Sequence, residues 1–213
     1  MFLPAHPLST NHLVAVLARR GTCCLVICLA VLSMSAQALS LTGVQSRKMH
    51  PDAAATHDLP VDASQAMSGN LTIESRAIGS GHRIVFQFDA PIVSTGTLSV
   101  IDDGILPVAG VSALASGTEI VVTIPLLADN RRLTVSLENV NGTMLNVSAS
   151  LAFRVGDTNQ SGSVVAGDIS SLKARAGHSA GSGNFPFDLN ASGFVTAADI
   201  AAVKARAASS GSV

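Results

Sequence analysis

The sequence contains no Trp and no Tyr, and only seven of its 213 residues are Phe. This composition excludes a sugar-binding surface built from stacked indole or phenol rings, and it excludes a base-stacking platform of the usual kind. Charged residues make up only 13% of the chain, and the formal net charge is -1. The sequence therefore gives no electrostatic basis for binding nucleic acid, and we expect no nucleic-acid partner.

Cysteine is also scarce, and all three cysteines lie within the first 28 residues: Cys23, Cys24 and Cys28. They belong to a short apolar run at residues 23–34, which follows Arg19-Arg20 and precedes the small residues Ser35-Ala36-Gln37-Ala38. This order is typical of a secretory signal peptide, and the run is shorter than the roughly 20 residues that span a bilayer. We predict cleavage near Ala38, at the end of a signal peptide at 1–38. The mature protein is then secreted or on the cell surface, with no membrane span and no disulfides.

The chain after the predicted leader is mainly of β type. Residues 39–69 are polar and are predicted to form leading strands and a linker. In residues 70–154, apolar and polar residues alternate in short segments separated by Gly, Asn, Asp or Pro. These segments are 71–74, 83–88, 97–100, 119–124, 132–137 and 145–147. Each such strand has one face to bury, so two sheets must pack face to face, which predicts an immunoglobulin-like β-sandwich.

Two segments near the C terminus repeat each other in register, residues 157–176 and residues 188–207. Each copy begins with a twelve-residue stretch that starts D-x-N-x-S-G and ends with Asp, and we name these stretches loop one (157–168) and loop two (188–199). Oxygen-bearing side chains stand at positions 1, 3, 5 and 12, with Gly at position 6, which is the spacing of a calcium loop. The predicted donors of loop one are Asp157, Asn159, Ser161, the carbonyl of Ser163 and Asp168. Those of loop two are Asp188, Asn190, Ser192, the carbonyl of Phe194 and Asp199.

These loops are predicted to bind two Ca²⁺ ions. Asp, Asn, Ser and Gly also favour ordinary turns, but two loops in register, each closed by Asp, favour a metal site. Magnesium fits less well because it demands a tighter octahedron, and two carboxylates per site predict an affinity on the order of 10⁻⁵ to 10⁻³ M. A helix is predicted after each loop, with apolar residues at helical spacing: Ile169, Leu172 and Ala176, then Ile200, Val203 and Ala207. Pro186 and the strand-like segment 150–155 leave no helix entering either loop, unlike an EF-hand.

The duplicated unit, D-x-N-x-S-G-x-V-x-A-x-D-I followed by K-A-R-A, resembles a type I dockerin over about residues 155–208. The resemblance implies a small helical domain at 155–210 that binds calcium and docks to a cohesin-like partner, usually in extracellular polysaccharide degradation. It also implies partner-binding positions before the last ligand and in the exit helix. These are Ala166, Gly167, Lys173, Ala174, Ala197, Ala198, Lys204 and Ala205. The family more often has Ser-Thr and Lys-Arg there, so no known cohesin specificity carries over. The preceding part, from Gly43 to Phe88, is similar to a bacterial secreted module that often precedes such tails.

Three other groups of residues have alternative interpretations. Asp102-Asp103 with Glu74 could be paired carboxylates of a glycosidase, but Asp-Asp-Gly favours a hairpin turn. His50, His57 and His82 could bind metal, but they lack a ligand spacing and are predicted to be surface residues. The basic helix residues are either solvated or part of a partner site: Lys173, Arg175, Lys204 and Arg206.

We expect a non-catalytic protein. The alternatives are a component of a polysaccharide-degrading enzyme, or a cell-surface adhesion or spacer module. In the spacer alternative the calcium tail packs on its own β-sandwich and needs no cohesin.

Overall fold

The computed structural model describes residues 38–209. Apart from Ala38, the predicted signal peptide lies outside the described residues, as does the last residue of the predicted C-terminal domain. Residues 39–209 all belong to one unit, which contains the β-rich part and the two loops. Within residues 38–209, no helix is long and apolar enough to cross a membrane.

Nine strands form two sheets in this part of the chain. Numbered in chain order, they are β1 (Leu41–His50), β2 (Ala55–Val61), β3 (Ile73–Glu74), β4 (His82–Phe88), β5 (Thr97–Asp102), β6 (Ser112–Ser116), β7 (Glu119–Ile124), β8 (Arg131–Glu138) and β9 (Val147–Phe153). The larger sheet has the order β2-β1-β4-β7-β6, and all its pairs are antiparallel. The smaller sheet has the order β3-β9-β8-β5, in which only the short pair of β3 and β9 is parallel.

The two sheets pack through the apolar residues that alternate along their strands. Ile84 and Phe86 of β4 stand opposite Val122 and Ile120 of β7 and are fully buried. They share one core with residues of the smaller sheet, including Leu133, which is also fully buried. Burying each such side chain contributes about 1.5–3 kcal/mol. The predicted β-sandwich is confirmed as two packed sheets, and this is the level at which the immunoglobulin-like comparison holds.

The first two strands are part of the sandwich. The sequence pattern predicts leading strands and a linker ahead of it, but β1 pairs with both β2 and β4 inside the larger sheet. Strand β1 also runs on to His50, well past the apolar residues that predict it. Its inward-facing positions after Val44 are Ser46, Lys48 and His50, all buried. An apolar pattern does not detect such a strand, because its buried face becomes polar halfway along.

The C-terminal part contains two α-helices, α1 (Ala166–Lys173) and α2 (Ala197–Ser209). Each follows its loop as predicted, and neither loop is entered by a helix. Strand β9 precedes loop one, and a single 3₁₀ turn at Phe185–Phe187 precedes loop two. Helix α1 ends before Ala176, which is exposed, so the prediction that this residue continues the buried stripe is wrong. The other apolar stripe residues of both helices are buried or half-buried and share one cluster.

Candidate functional site: two calcium loops on a β-sandwich

The first carboxylate of loop one is held by the backbone of the loop. Asp157 is fully buried, and its Oδ1 accepts a hydrogen bond from the Ser161 N–H at 3.0 Å. Its Oδ2 accepts one from the Gly162 N–H at 2.7 Å. Gly162 has a φ of +84°, in the left-handed region where a side chain would be strained. Glycine at position 6 therefore lets the chain turn back so that its N–H reaches the carboxylate.

The last carboxylate of loop one, Asp168, connects the start of the loop to the start of helix α1. Asp168 is fully buried in the first turn of α1. Its Oδ1 accepts hydrogen bonds from the Thr158 and Asn159 N–H groups at 2.9 and 3.2 Å. Its Oδ2 accepts one from the Val165 N–H at 2.9 Å. Asp168 thus caps its own helix and fixes the start of the loop at the same time.

Loop two repeats this arrangement with different neighbours. Asp188 accepts hydrogen bonds from the Ser192 N–H at 2.9 Å and the Gly193 N–H at 2.6 Å. Asp199 accepts them from the Asn190 N–H at 3.2 Å and the Thr196 N–H at 2.8 Å. Both carboxylates are buried, and Gly193 has a φ of +115°. The two loops therefore form the same hydrogen-bonding pattern, although their sequences differ at several positions between the ligands.

The uncharged donors also occupy matching places. Asn159 Oδ1 accepts from the Ser161 N–H at 3.0 Å, and Asn190 Oδ1 accepts from the Ser192 N–H at 3.0 Å. The Ser161 hydroxyl lies 3.0 Å from the carbonyl of Ser163. Its counterpart at Ser192 lies 3.2 Å from the carbonyl of Phe194. In each loop the oxygens predicted as ligands are therefore neighbours, and these serine hydroxyl and carbonyl oxygens are close enough to share one ion.

The electrostatic environments of the two first carboxylates differ. Burial raises the pKa of Asp157; the Ser161 and Gly162 N–H groups counteract this rise, and nearby Asp168 adds to it. Burial acts in the same direction on Asp188, but hydrogen bonds from His50, Gly193 and Ser192 outweigh it and lower the pKa of Asp188. Calcium requires ionised carboxylates, so a cation bound by loop one would relieve the repulsion between Asp157 and Asp168.

The donors of both loops fit calcium. They are carboxylate, amide, hydroxyl and carbonyl oxygens, the hard ligands that Ca²⁺ binds in sets of six to eight. Among residues 38–209, no group of three or more His, Cys, Asp or Glu side chains is placed to hold a metal. Each loop has only two carboxylates, so uncharged oxygens would complete its coordination. When bound, calcium would supply the positive charge that joins the two ends of the loop.

A small apolar cluster supports the loops from behind. Val164 and Val195 are buried, and they join Leu172 and Val203 in this cluster. The N–H of Val195 donates to the carbonyl of His178 at 2.9 Å, so loop two pairs with the chain that follows α1. The cluster has only seven buried members, which is a small core for an independent domain.

The predicted partner-binding residues all lie on the surface. These exposed residues are Ala166, Gly167, Lys173, Ala174, Ala197, Ala198, Lys204 and Ala205. The basic residues divide into two kinds. Lys173 and Lys204 are exposed, whereas Arg175 stacks over the Phe187 ring at 3.9 Å and Arg206 pairs with Asp129 of the sandwich. The two lysines are therefore open to a partner, and the two arginines have structural contacts.

Of the three histidines that the sequence places on the surface, two are buried, so the prediction is wrong for His50 and His82, and His57 is half-buried. His50 is fully buried, and its Nδ1 lies 2.7 Å from Asp188 Oδ2 in loop two. His82 is also buried and packs against Phe153. His57 is half-buried and stacks on Phe185, with ring centroids 5.2 Å apart. Sequence spacing misses these residues because their partners come from distant parts of the chain.

A polar cluster that includes His50 lies where the sandwich meets the C-terminal part. We name it the joint, and its members are Ser46, Lys48, His50, Glu74 and Arg76. Arg76 is almost fully buried and donates to Glu74 at 2.7 and 2.8 Å, and it also lies 5.1 Å from the Phe185 ring centroid. The joint has a sequence signal, since polar residues continue the inward-facing series that Val44 begins on β1.

The carboxylates of the glycosidase alternative, Glu74 and Asp102-Asp103, have structural partners. Glu74 is buried in an ion pair with Arg76, which lowers its pKa to about 2 against the opposing effect of burial. Asp102 accepts from the Ile105 N–H through its carbonyl, and its side chain accepts from the Gly104 N–H. Asp102-Asp103-Gly104 is therefore a turn, as predicted, and Glu74 is committed to a structural ion pair.

The comparison with known protein families agrees with this geometry. Residues 155–206 match the dockerin type I domain. No curated protein sequence matches the chain. Type I dockerin domains generally bind calcium and dock to cohesin domains in a calcium-dependent manner. The chain therefore carries a C-terminal type I dockerin domain, which follows a mainly β, two-sheet region.

Proposed function

We propose that this protein is a secreted, non-catalytic adaptor whose dockerin domain binds two calcium ions and docks to a cohesin-type domain. The observation that carries the proposal is the matched pair of loops. In each, a buried carboxylate at position 1 and another at position 12 are held by backbone N–H groups at corresponding positions. The setting we propose is extracellular polysaccharide degradation, where type I dockerins usually attach proteins to a scaffold.

The proposal of two ions rests on the equivalence of the loops. Each offers two carboxylates, one amide oxygen, one hydroxyl and one carbonyl oxygen in the same order. An ion that binds only the folded domain stabilises it by RT ln(1 + [Ca²⁺]/Kd), or about 2.7 kcal/mol at 100 times Kd. Because the apolar cluster is small, this contribution is a large part of the domain's stability.

The exposed surface supports docking to a separate partner. All eight predicted partner-binding residues stay exposed while the domain packs against the sandwich. They are small residues and two lysines, which suit a partner surface that is flat and carries negative charge. The positions where the family more often has Ser-Thr hold Ala-Gly and Ala-Ala, so we propose a cohesin that accepts a less polar contact.

A second candidate is the spacer module whose tail packs on its own sandwich. Contacts between loop two and the sandwich favour it, namely the His50–Asp188 hydrogen bond and the Asp52 N–H donating to the Ser192 carbonyl at 3.0 Å. The two candidates differ in one respect. The spacer needs no partner at the exposed residues, whereas the adaptor does.

The first experiment counts the ions. The protein is expressed with its own leader and collected from the medium, and its N-terminal sequence is expected to begin at Leu39. Calorimetric titration with Ca²⁺ should give two ions for the wild type and one each for Asp168→Ala and Asp199→Ala. Retention of two ions in either variant would contradict the assignment of these ligands.

The second experiment tests the partner. Immobilised type I cohesin domains are offered the protein in Ca²⁺ and in EGTA, and binding is expected only in Ca²⁺. A Lys173→Glu, Lys204→Glu double variant should bind at least tenfold more weakly, whereas Arg83→Glu, a reversal at an exposed residue of the sandwich, should bind normally. Absence of calcium-dependent binding to any cohesin would favour the spacer, and hydrolysis of polysaccharides by the purified protein would contradict a non-catalytic role.

A further inference from the structure

The two calcium loops differ in what surrounds them, and this difference is the basis of a further inference. Within residues 38–209, the hydrogen bonds to Asp157 come from loop one itself, through Ser161 and Gly162. Asp188 has the equivalent bonds from Ser192 and Gly193, and in addition it contacts His50 at the end of β1. In the described part of the chain, the sandwich therefore hydrogen-bonds a predicted ligand side chain in loop two. Its side-chain contact with loop one goes to Gln160, which is not a predicted ligand: the Ile73 N–H lies 3.4 Å from Gln160 Oε1.

The contact between His50 and Arg76 shows which residue donates in the hydrogen bond between His50 and Asp188. His50 Nε2 lies 3.3 Å from Arg76 Nη1, and a guanidinium N–H can only donate. Nε2 is therefore the acceptor, and the proton of the neutral ring lies on Nδ1, which points at Asp188 Oδ2 at 2.7 Å. His50 thus donates to the carboxylate, in the orientation that leaves the carboxylate ionised.

Arg76 is itself fixed in place. It donates to both carboxylate oxygens of Glu74 and to the carbonyl of Ser46 at 3.1 Å. Because Arg76 and His50 are both buried, neither side chain can rotate away without losing these bonds. The joint therefore holds the imidazole in one orientation against loop two.

Backbone contacts bring the same loop against the sandwich. The Asp52 N–H donates to the carbonyl of Ser192 at 3.0 Å, and the Ala77 N–H donates to the carbonyl of Leu189 at 2.6 Å. Ser192 and Leu189 lie inside loop two, one as a predicted ligand and the other next to Asp188. Loop two is thus attached to the sandwich at three points, all within five residues of one another in the loop.

We propose that the second calcium site is built jointly by the dockerin and the sandwich, with His50 as the residue that positions Asp188. This inference rests on the proposed binding of one ion by each loop. Groups that orient a metal ligand by hydrogen bonding typically change metal affinity 10- to 100-fold when they are replaced. Calcium at loop two and attachment of the dockerin to the sandwich therefore support each other, whereas calcium at loop one should depend less on the sandwich, whose hydrogen bond to that loop goes to Gln160 and not to a ligand.

Calorimetric titration of His50 variants tests this inference. His50→Phe removes the donor but keeps a ring of similar size, and it should lower the affinity of one site by 10- to 100-fold while the other site is unchanged. His50→Asn places an amide N–H near the position of Nδ1 and should restore affinity to within about fivefold of the wild type. His57→Phe is the control for a ring change beside His50. The His57 ring packs edge-on against His50 and stacks on Phe185, with centroids 5.0 and 5.2 Å apart, but it donates no hydrogen bond to Asp188 in the described part of the chain, so both sites should be unchanged.

Hydrogen exchange of the wild type and two loop variants tests the same point without altering the joint. Calcium should slow exchange of the Asp52 and Ala77 amides in the wild type and in Asp168→Ala, but not in Asp199→Ala. Three outcomes would overturn this inference and leave the proposed function standing. They are two sites of normal affinity in His50→Phe, equal weakening of both sites in that variant, and calcium protection of the two amides in Asp199→Ala. A wild type that takes up no calcium would overturn the proposed function and this inference together.

Discussion

The buried ion pair of the joint gives a prediction whose size can be worked from its contacts. Glu74 Oε1 accepts from the Arg76 backbone N–H at 3.0 Å and from Nε at 2.8 Å, and Oε2 accepts from Nη2 at 2.7 Å and from the Ser46 hydroxyl. Glu74→Gln removes the counter-charge and turns an NH₂ group toward donors that need an acceptor. The Arg76 guanidinium would then be buried without a partner charge, which typically costs about 3–5 kcal/mol.

The complementary variant predicts a similar loss for a different reason. Arg76→Met leaves the Glu74 carboxylate buried and also leaves the carbonyls of Ser46 and His57 without their donor. We again expect a loss of about 3–5 kcal/mol. The double variant leaves neither Glu74 nor Arg76 as an unpaired buried charge, so the total loss should be smaller than the sum of the single losses by about 2 kcal/mol or more.

Urea unfolding of the wild type and the three variants at neutral pH, in saturating Ca²⁺, measures these differences. A control variant, Arg131→Met, removes an arginine whose ion pairs with Asp102 and Asp103 are partly exposed, and it should lose less than about 1 kcal/mol. If Glu74→Gln lost as little as this control, the reasoning from burial and pairing would be refuted. Strict additivity in the double variant would refute the assignment of the energy to the pair.

Two further predictions concern pH and packing. Burial and the positive charge of Lys48 lower the pKa of His82 to about 3 from 6.5, so between these values the unfolded chain binds a proton that the folded protein does not. The free energy of unfolding should therefore fall as pH drops below 6.5, by up to about 1.4 kcal/mol per pH unit. Urea unfolding of His82→Leu should lack this part of the pH dependence, and the same pH dependence in the variant and the wild type would contradict the argument. Leu172→Ala, in the dockerin cluster, should cost about 2–5 kcal/mol and lower the domain's calorimetric melting temperature, while exposed Leu114→Ala should not; equal melting temperatures would contradict the packing argument.

The sequence could indicate the hydrogen-bonded geometry of the two loops because that geometry is local, while their ligand sets stay a prediction. A twelve-residue loop brings its own donors together, and glycine at position 6 provides the turn that Gly162 and Gly193 make at positive φ. Most of the sandwich is predictable for a related reason, since alternation along a strand such as β4 reports which face is buried. Strand β6 is missed, because its inward-facing residues Ala113 and Ala115 are small and only half-buried, while its one large apolar residue, Leu114, is exposed.

The joint is not predictable in the same way, because its partners are far apart in sequence. His50 and Asp188 are separated by 138 residues, and no local rule brings a histidine of β1 to a calcium loop. A buried polar residue also looks like a surface residue when only its type is known. Ser46, Lys48 and His50 continue the every-other-residue series that Val44 begins, but this series indicates a buried polar face only once β1 is known to continue to His50.

The duplication explains how a symmetrical sequence can give an unsymmetrical domain. The two loops have the same pattern, so each would form the same hydrogen bonds in isolation. Both loops contact the sandwich, loop one through Gln160 and the Ile73 N–H. Loop two differs because a predicted ligand carboxylate contacts the sandwich there: β9 leads directly into loop one, while the turn at Phe185–Phe187 lies between loop two and the residues before it, with Phe185 stacked on His57 and Asp188 bonded to His50. Loop two thereby gains contacts to His50, Asp52 and Ala77 that its own repeat does not encode. Sequence similarity between the repeats therefore predicts equal sets of oxygen atoms in the two loops, whereas the contacts around each loop depend on what that loop packs against.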